Sequence, residues 1–280
     1  IDCSFISRNF KQADYVERQS GLCELALHNF PLLGLGHIRI HNRDGVSYLQ
    51  EMLPVDCLFL DPARRDGHGG KTVAISDCEP DVTVLEPLLV DKAKKVMVKL
   101  SPMLDLSLAL NELKTVRAVH IVAVNNECKE LLLILQKESV SSEVSIHCEH
   151  IVGNGESRHY TFTLKREKTS PCLLADEVGT YLYEPNAAIL KAGAFRSLTQ
   201  TYPVAKLHLN SHLYTSVSLV PDFPGRRFRV EAVSGFGKKE LKAFLMDMDK
   251  ANITIRNFPL SVAELRKRLK LKEGGDDYIF

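Results

Sequence analysis

The chain contains no CxxC pair, no apolar run of transmembrane length and no signal peptide. The first absence matters because there are seven cysteines, an odd number. Without paired spacing they read as reduced thiols, neither a disulfide framework nor a zinc site, with Cys57 a small hydrophobe inside an apolar run. The other two absences make a soluble, cytoplasmic protein the expectation and imply no membrane partner. Two ligand motifs also fail. Gly70-Lys71-Thr72 has the close of a P-loop, but the first glycine of that motif would fall at residue 65, which is Arg65. Val73-Ala74-Ile75 then favours a strand where a P-loop needs a helix. His147-Cys148-Glu149-His150 lacks the HExxH order, and two histidines three apart on a strand face opposite sides. No metal site is expected.

Net charge is nearly absent too, at +1, but it is unevenly spread. From Phe223 onward there are 13 Lys and Arg against 8 Asp and Glu, a balance of +5, which leaves −4 for the rest. A basic tail of this kind points to a polyanionic partner. With 280 residues, two domains are more natural than one. The chain opens on Ile1-Asp2-Cys3 and closes on Tyr278-Ile279-Phe280. Both read as cuts through structured sequence, so a fragment of a longer protein is expected.

The most informative stretch is Val55 to Arg65, VDCLFLDPARR. Val55 to Leu60 is a short apolar run that suits a strand covered on both faces. It stops at Asp61-Pro62, because proline has no N–H for the ladder. Ligands bind at the carboxyl ends of strands in an open parallel sheet. The run therefore delivers a carboxylate, a rigid turn and the guanidiniums of Arg64 and Arg65 to a candidate active edge. The long, glycine-rich loop after it, Asp66 to Asp81, is rimmed by Lys71 and reads as a binding segment.

Strands are expected at Ala13 to Val16, Ile38 to His41, Val55 to Leu60, Val96 to Leu100 and Val119 to Val124. Leu131 to Leu135 is a strand or a helix. Helical spacing falls at Ser20 to Asn29, Val46 to Met52 and Leu104 to Leu113. This alternation argues for βαβ units and a parallel sheet, an α/β fold. Val144 to His147 and Tyr160 to Leu164 flank Gly153-Asn154-Gly155 as a closing hairpin. The pattern loosens near Lys165 to Pro171. Three parts are therefore expected: 1–168, a small α/β connection at 169–222, and 223–280. A helix is expected over Tyr183 to Leu198. The last part reads strand, helix, strand, helix, strand, with Ser261 and Glu264 forming a capping box.

Acids recur at the ends of successive strands: Glu17, Asp44 (followed by Gly45) and Asp61. There they can accept hydrogen bonds from ribose hydroxyls, an adenine amino group and a substrate amine respectively. Cys78 in SDCEPD has no activating partner in view and reads as a structural thiol. Arg226, Arg227, Arg229, Lys238 and Lys239 form the basic part of the tail, with Arg266, Lys267, Arg268, Lys270 and Lys272. On one face they would track an RNA backbone.

YVERQ, NRDG, LFLDPARR and VKLSP resemble successive motifs of class I S-adenosylmethionine-dependent methyltransferases, over roughly Ile1 to Leu164. DPARR and SDCEPD, with YLYEPNAAILKAGAF and NFPLSVAELRKRLKLKEGG, are similar to bacterial methyltransferase-like proteins that end in a THUMP-like domain. The resemblance implies a Rossmann-like, mostly parallel sheet and a smaller C-terminal α+β domain of βαβ-αβ order. It implies S-adenosylmethionine as cofactor, with Glu17 at its ribose, Asp44 and Gly45 at its adenine, and Asp2 as the acidic end of the glycine motif. Asp61-Pro62 would meet the target base as the catalytic pair. Arg64, Arg65, Lys71, Arg226, Arg227, Arg229, Arg266, Lys267 and Lys270 would contact RNA. Two departures stand out. The family's glycine-rich loop would fall just before Ile1, so poor donor binding by this chain is expected. Ala63 and Arg64 replace the proline and aromatic of amino-methylating relatives, which argues against an exocyclic amine as acceptor. A methyltransferase acting on tRNA or rRNA is the first reading. A non-catalytic RNA-binding protein on the same scaffold is the second, and a methyltransferase for a small molecule or protein the third.

Overall fold

The computed structural model describes residues 1–64, 74–137, 143–153, 155–246 and 248–280. Helix α1 (Asp2–Ile6) leads to β1 (Ala13–Glu17), α2 (Ser20–Leu32), β2 (Ile38–Asn42) and α3 (Gly45–Glu51). Strand β3 (Val55–Leu60) ends at Asp61-Pro62 as expected, and β4 (Ala63–Arg64) pairs antiparallel with β5 (Cys78–Glu79). Then come α4 (Val82–Lys92), β6 (Ala93–Leu100), α5 (Leu106–Glu112), β7 (Val116–Val124) and β8 (Glu127–Leu135). Strands β9 (Ser145–Ile151) and β10 (Ser157–Thr163) form the expected antiparallel hairpin.

Aspartate side chains start α3, α4 and α5. Asp44 Oδ1 accepts from the Ser47 N–H at 2.8 Å, Asp81 from Thr83 at 2.9 Å, and Asp105 from Leu108 at 3.0 Å. Each supplies an acceptor to a first-turn N–H that lacks an intrahelical partner.

The fold is mixed α/β with a mostly parallel main sheet, in the order β10-β9-β7-β8-β6-β3. Pairs β3/β6 and β7/β9 are parallel. Alternate residues carry the core: Val96, Val98 and Leu100 on β6, and Val119, Ile121 and Ala123 on β7, are all buried. Each such Val or Leu contributes about 1.5–3 kcal/mol by leaving water. Strands β1 and β2 form a separate parallel pair with Glu17 opposite Asn42.

Of the two readings left open for Leu131 to Leu135, strand is the one observed, within β8. Ile75 begins a 3₁₀ turn (Ile75–Asp77) where a strand was expected; Val73 lies outside the described residues. Helix α4 was not anticipated, since Pro87 and apolar residues on several sides obscure its period.

By packing the chain divides into two compact units, Ile1–Arg117 with Leu133–Ser141, and Ala118–Leu132 with Ser142–Phe280. In the first, Ala26, Phe30, Leu35 and Ile38 form a core cluster against Tyr15 and Ile40. Buried Glu86 accepts from the N–H groups of Lys114 and Thr115 and from the Thr115 hydroxyl, at 2.7–2.8 Å.

In the second unit α6 (Leu164–Thr169) precedes β11 (Tyr181–Pro185), α7 (Ala187–Ala192), α8 (Ser197–Thr201), β12 (Ala205–His208), β13 (Ser211–Ser216) and β14 (Gly225–Arg229). The helix expected from Tyr183 therefore starts only at Ala187: Pro185 ends a strand and Asn186 caps the helix. The four-stranded antiparallel sheet has the order β12-β13-β11-β14. Phe223 is fully buried, with Tyr183, Tyr202 and Tyr214 ring centroids 5.0, 5.6 and 5.9 Å away. Last come α9 (Lys238–Phe244), β15 (Asn252–Ile253), α10 (Val262–Leu269) and β16 (Tyr278–Ile279). The tail is thus not a self-contained βαβ-αβ unit. Its first strand, β14, joins β11, and only β15 and β16 pair with each other. Gly225 permits this, because a Cβ there would stand 2.0 Å from the Glu184 carbonyl oxygen. Among the described residues no helix is long and apolar enough to cross a membrane.

Candidate active site

Strands β3 and β6 run in register, with Leu60 opposite Val98, so their carboxyl ends bring Asp61 level with Lys99. The Lys99 ammonium lies 2.8 Å from Asp61 Oδ2 and 2.5 Å from Asp2 Oδ2, at the first turn of α1. Burial works against the charge of Lys99, but the two carboxylates outweigh it and hold the ammonium well above the usual lysine range. Lys99 is 21% exposed, Asp2 41% and Asp61 49%. The cation is therefore sheltered while both anions open to solvent. Pro62 is buried behind Asp61.

The other two acids occupy the ends of the β1/β2 pair. Glu17 Oε1 accepts from the Gln19 N–H at 2.8 Å, and Asn42 Nδ2 donates to the carbonyls of Glu17 and Arg18. The Asp44 carboxyl is held below its ordinary range, first by the Ser47 N–H and then by the Ser47 hydroxyl, both bound to Oδ1. Gly45 has open space where a Cβ would stand, so packing does not demand glycine there. Arg18 reaches Glu79 on β5 at 3.7 Å.

Among the expected site residues, the structure joins Asp2 and Asp61 through Lys99. Arg65 and Lys71 lie outside the described residues, and Arg64 is described through its backbone on β4. In the tail, Arg226 is committed to the buried Glu184, with Nε 2.7 Å from Oε2, and Arg256 binds Oε1 of the same carboxylate. Arg227 donates to the Pro221 carbonyl, Arg229 faces Glu231 at 3.5 Å, and Arg266 donates to the Ala251 carbonyl at 3.2 Å. Lys267 and Lys270 are exposed, and Lys270 ends α10 in the left-handed region. His147 and His150 do face opposite ways: His147 bonds Ser145 and Thr161 and stacks on His120, while His150 accepts from the Asn126 N–H. Cys78 is buried.

Sequence reading missed Lys99 and Glu184. Lys99 carried one legible signal, a lysine near the end of an apolar strand, in VKLSP. A surface depression bounded by Pro54, Asp56, Asp91, Lys94 and Lys137 opens at the amino ends of β3 and β6, the far end from Asp61. Its charges are paired, Lys94 with Asp56 at 2.6 Å and Lys137 with Asp91 at 2.5 Å.

The residues present fit an S-adenosyl donor. Glu17 and Asp44 offer carboxylate acceptors, at and just past the ends of parallel strands, that would suit hydroxyl and amino groups.

Residues 181–224 match a ferredoxin-like domain family and residues 225–280 a THUMP domain-like family. A crystal structure from Porphyromonas gingivalis W83, of a protein provisionally assigned as a methyltransferase, is similar at 33% identity with a TM-score of 0.84. The similarity covers 99% of this chain and 75% of that one. No curated protein matches the chain.

Proposed function

We propose, for a chain that belongs to the same family as the Porphyromonas gingivalis protein, that it transfers the methyl group of S-adenosylmethionine to RNA. The sheet is read as Rossmann-like, with its carboxyl edge as the reacting edge. The observation that carries this reading is Asp61-Pro62 at the end of β3, its carboxylate held by Lys99 beside Asp2. When bound, the donor supplies a methyl group on a sulfonium, a strong leaving group, so the protein need do little proton transfer. Its work is positioning. Glu17 and Asp44 hold hydroxyl and amino groups of the donor, and Asp61 accepts a hydrogen bond from the edge of the target base. Pro62 fixes the turn, and Lys99 keeps the Asp61 carboxylate oriented. The THUMP domain-like module and its cations dock the RNA.

Asp61→Ala in the full-length protein tests this reading with labelled donor and total cellular RNA. Transfer should be abolished while donor affinity stays within a few-fold. Loss of donor affinity instead would assign Asp61 to the donor site.

A further inference from the structure

We propose that Phe236 and Phe258 form a stacking platform for unpaired bases of a single-stranded RNA segment, with the Arg268 guanidinium backing one face of Phe236. The inference rests on RNA being the partner. Both rings are carried on turns. Phe236 lies between Gly235 and Gly237, and the Gly237 N–H donates to Glu240 Oε2 at 3.2 Å. A Cβ at Gly235 or Gly237 would come within 2.4 or 2.8 Å of that oxygen, so the Glu240 carboxylate lies close against the turn that carries Phe236. Phe258 follows Asn257, which is in the left-handed region at φ 55°, and precedes Pro259.

The two rings meet edge to face, with centroids 5.3 Å apart and planes at 73°, and the Arg268 guanidinium lies 4.2 Å from the Phe236 centroid. A ring pair serving a core would be covered. Here Phe236 remains 36% exposed and Phe258 40%. Exposed lysines flank them: Lys267 beside Arg268 on α10, and Lys239 on the first turn of α9. Two nearby acids are engaged locally, Glu240 in the glycine turn and Glu264 in the Ser261 cap. Cations that track phosphates beside open aromatic faces are what a single strand requires. A duplex offers no free base face, so the platform selects unpaired RNA.

The test is fluorescence anisotropy of the protein with a short unstructured RNA and a hairpin of equal length, over a range of salt. Phe236→Leu and Phe258→Leu keep apolar bulk and should each lose about tenfold on the single strand. Their salt slope should not change, and affinity for the hairpin, whose few unpaired bases lie in its loop, should fall less. Lys267→Ala should instead lower the single-strand slope by about 0.7. The wild-type protein gives a second readout, since 2-aminopurine placed in the strand should be quenched by stacking on binding. Wild-type affinity in both phenylalanine variants, or unquenched 2-aminopurine, overturns the platform while leaving RNA as partner. Failure of the wild-type protein to bind any RNA overturns the RNA reading and the platform with it.

Discussion

The Lys99 ammonium stands 2.8 Å from Asp61 Oδ2 because the parallel strands that carry them are in register at their carboxyl ends. Lys99 also binds Asp2, so one sheltered cation orders two half-open anions. Lys99→Met keeps the apolar stem and deletes the charge. Transfer should fall about tenfold or more, because Asp61 loses its orientation. Stability should fall by only about 1–2 kcal/mol, since both carboxylates can turn to water. Lys99→Arg should recover part of the activity. Single-turnover transfer assays beside urea unfolding measure both, and a fully active Lys99→Met would remove Lys99 from the site.

Glu184 is a buried carboxylate of the second unit. It is 1% exposed and holds two guanidiniums, Arg226 and Arg256. Arg226 also stacks over Phe228 and Tyr278, 5.4 and 5.2 Å from their centroids. Glu184→Gln leaves two guanidiniums, each about a third exposed, without their counter-ion and should cost about 1.5–3 kcal/mol. Urea unfolding reads this directly. A loss below about 1 kcal/mol would mean that water replaces the carboxylate.

His212 gives the protein a sign-specific pH response. Its ring stacks on Phe195 at 3.6 Å, and its buried Nδ1 has no hydrogen-bond partner among the described residues. Burial first, then the charges of Lys206 and Arg256, push its pKa below the ordinary imidazole value. His150 is lowered too, by burial and then Arg158. As pH falls the unfolded chain takes up these protons before the folded one does. The stability contribution is therefore complete above the unfolded pKa of about 6.5 and is lost as pH falls through it toward the lowered folded values. Tm should drop between about pH 7.5 and 5.5, and His212→Leu should make that slope shallower. An unchanged slope in the variant would assign the response elsewhere.

What could be read in the sequence was local. Asp61-Pro62 marks a strand end because proline has no ladder donor, and Ser261 with Glu264 marks a helix start because the cap is built from neighbours. The pairing of Lys99 with Asp61 was hidden, since it depends on which strands become neighbours. The allegiance of β14 to β11 was hidden for the same reason, and with it the commitment of Arg226 to Glu184. Helix α4 was lost to Pro87 and to the absence of one clear apolar stripe.

The most direct test is calorimetric titration of S-adenosylmethionine into the full-length protein and into its Glu17→Ala variant. Micromolar binding that disappears in the variant is the expected result, with Glu17 as the ribose acceptor. No binding by the unaltered protein would contradict a methyl-donor site at this sheet edge and leave an RNA-binding protein on a methyltransferase-shaped scaffold.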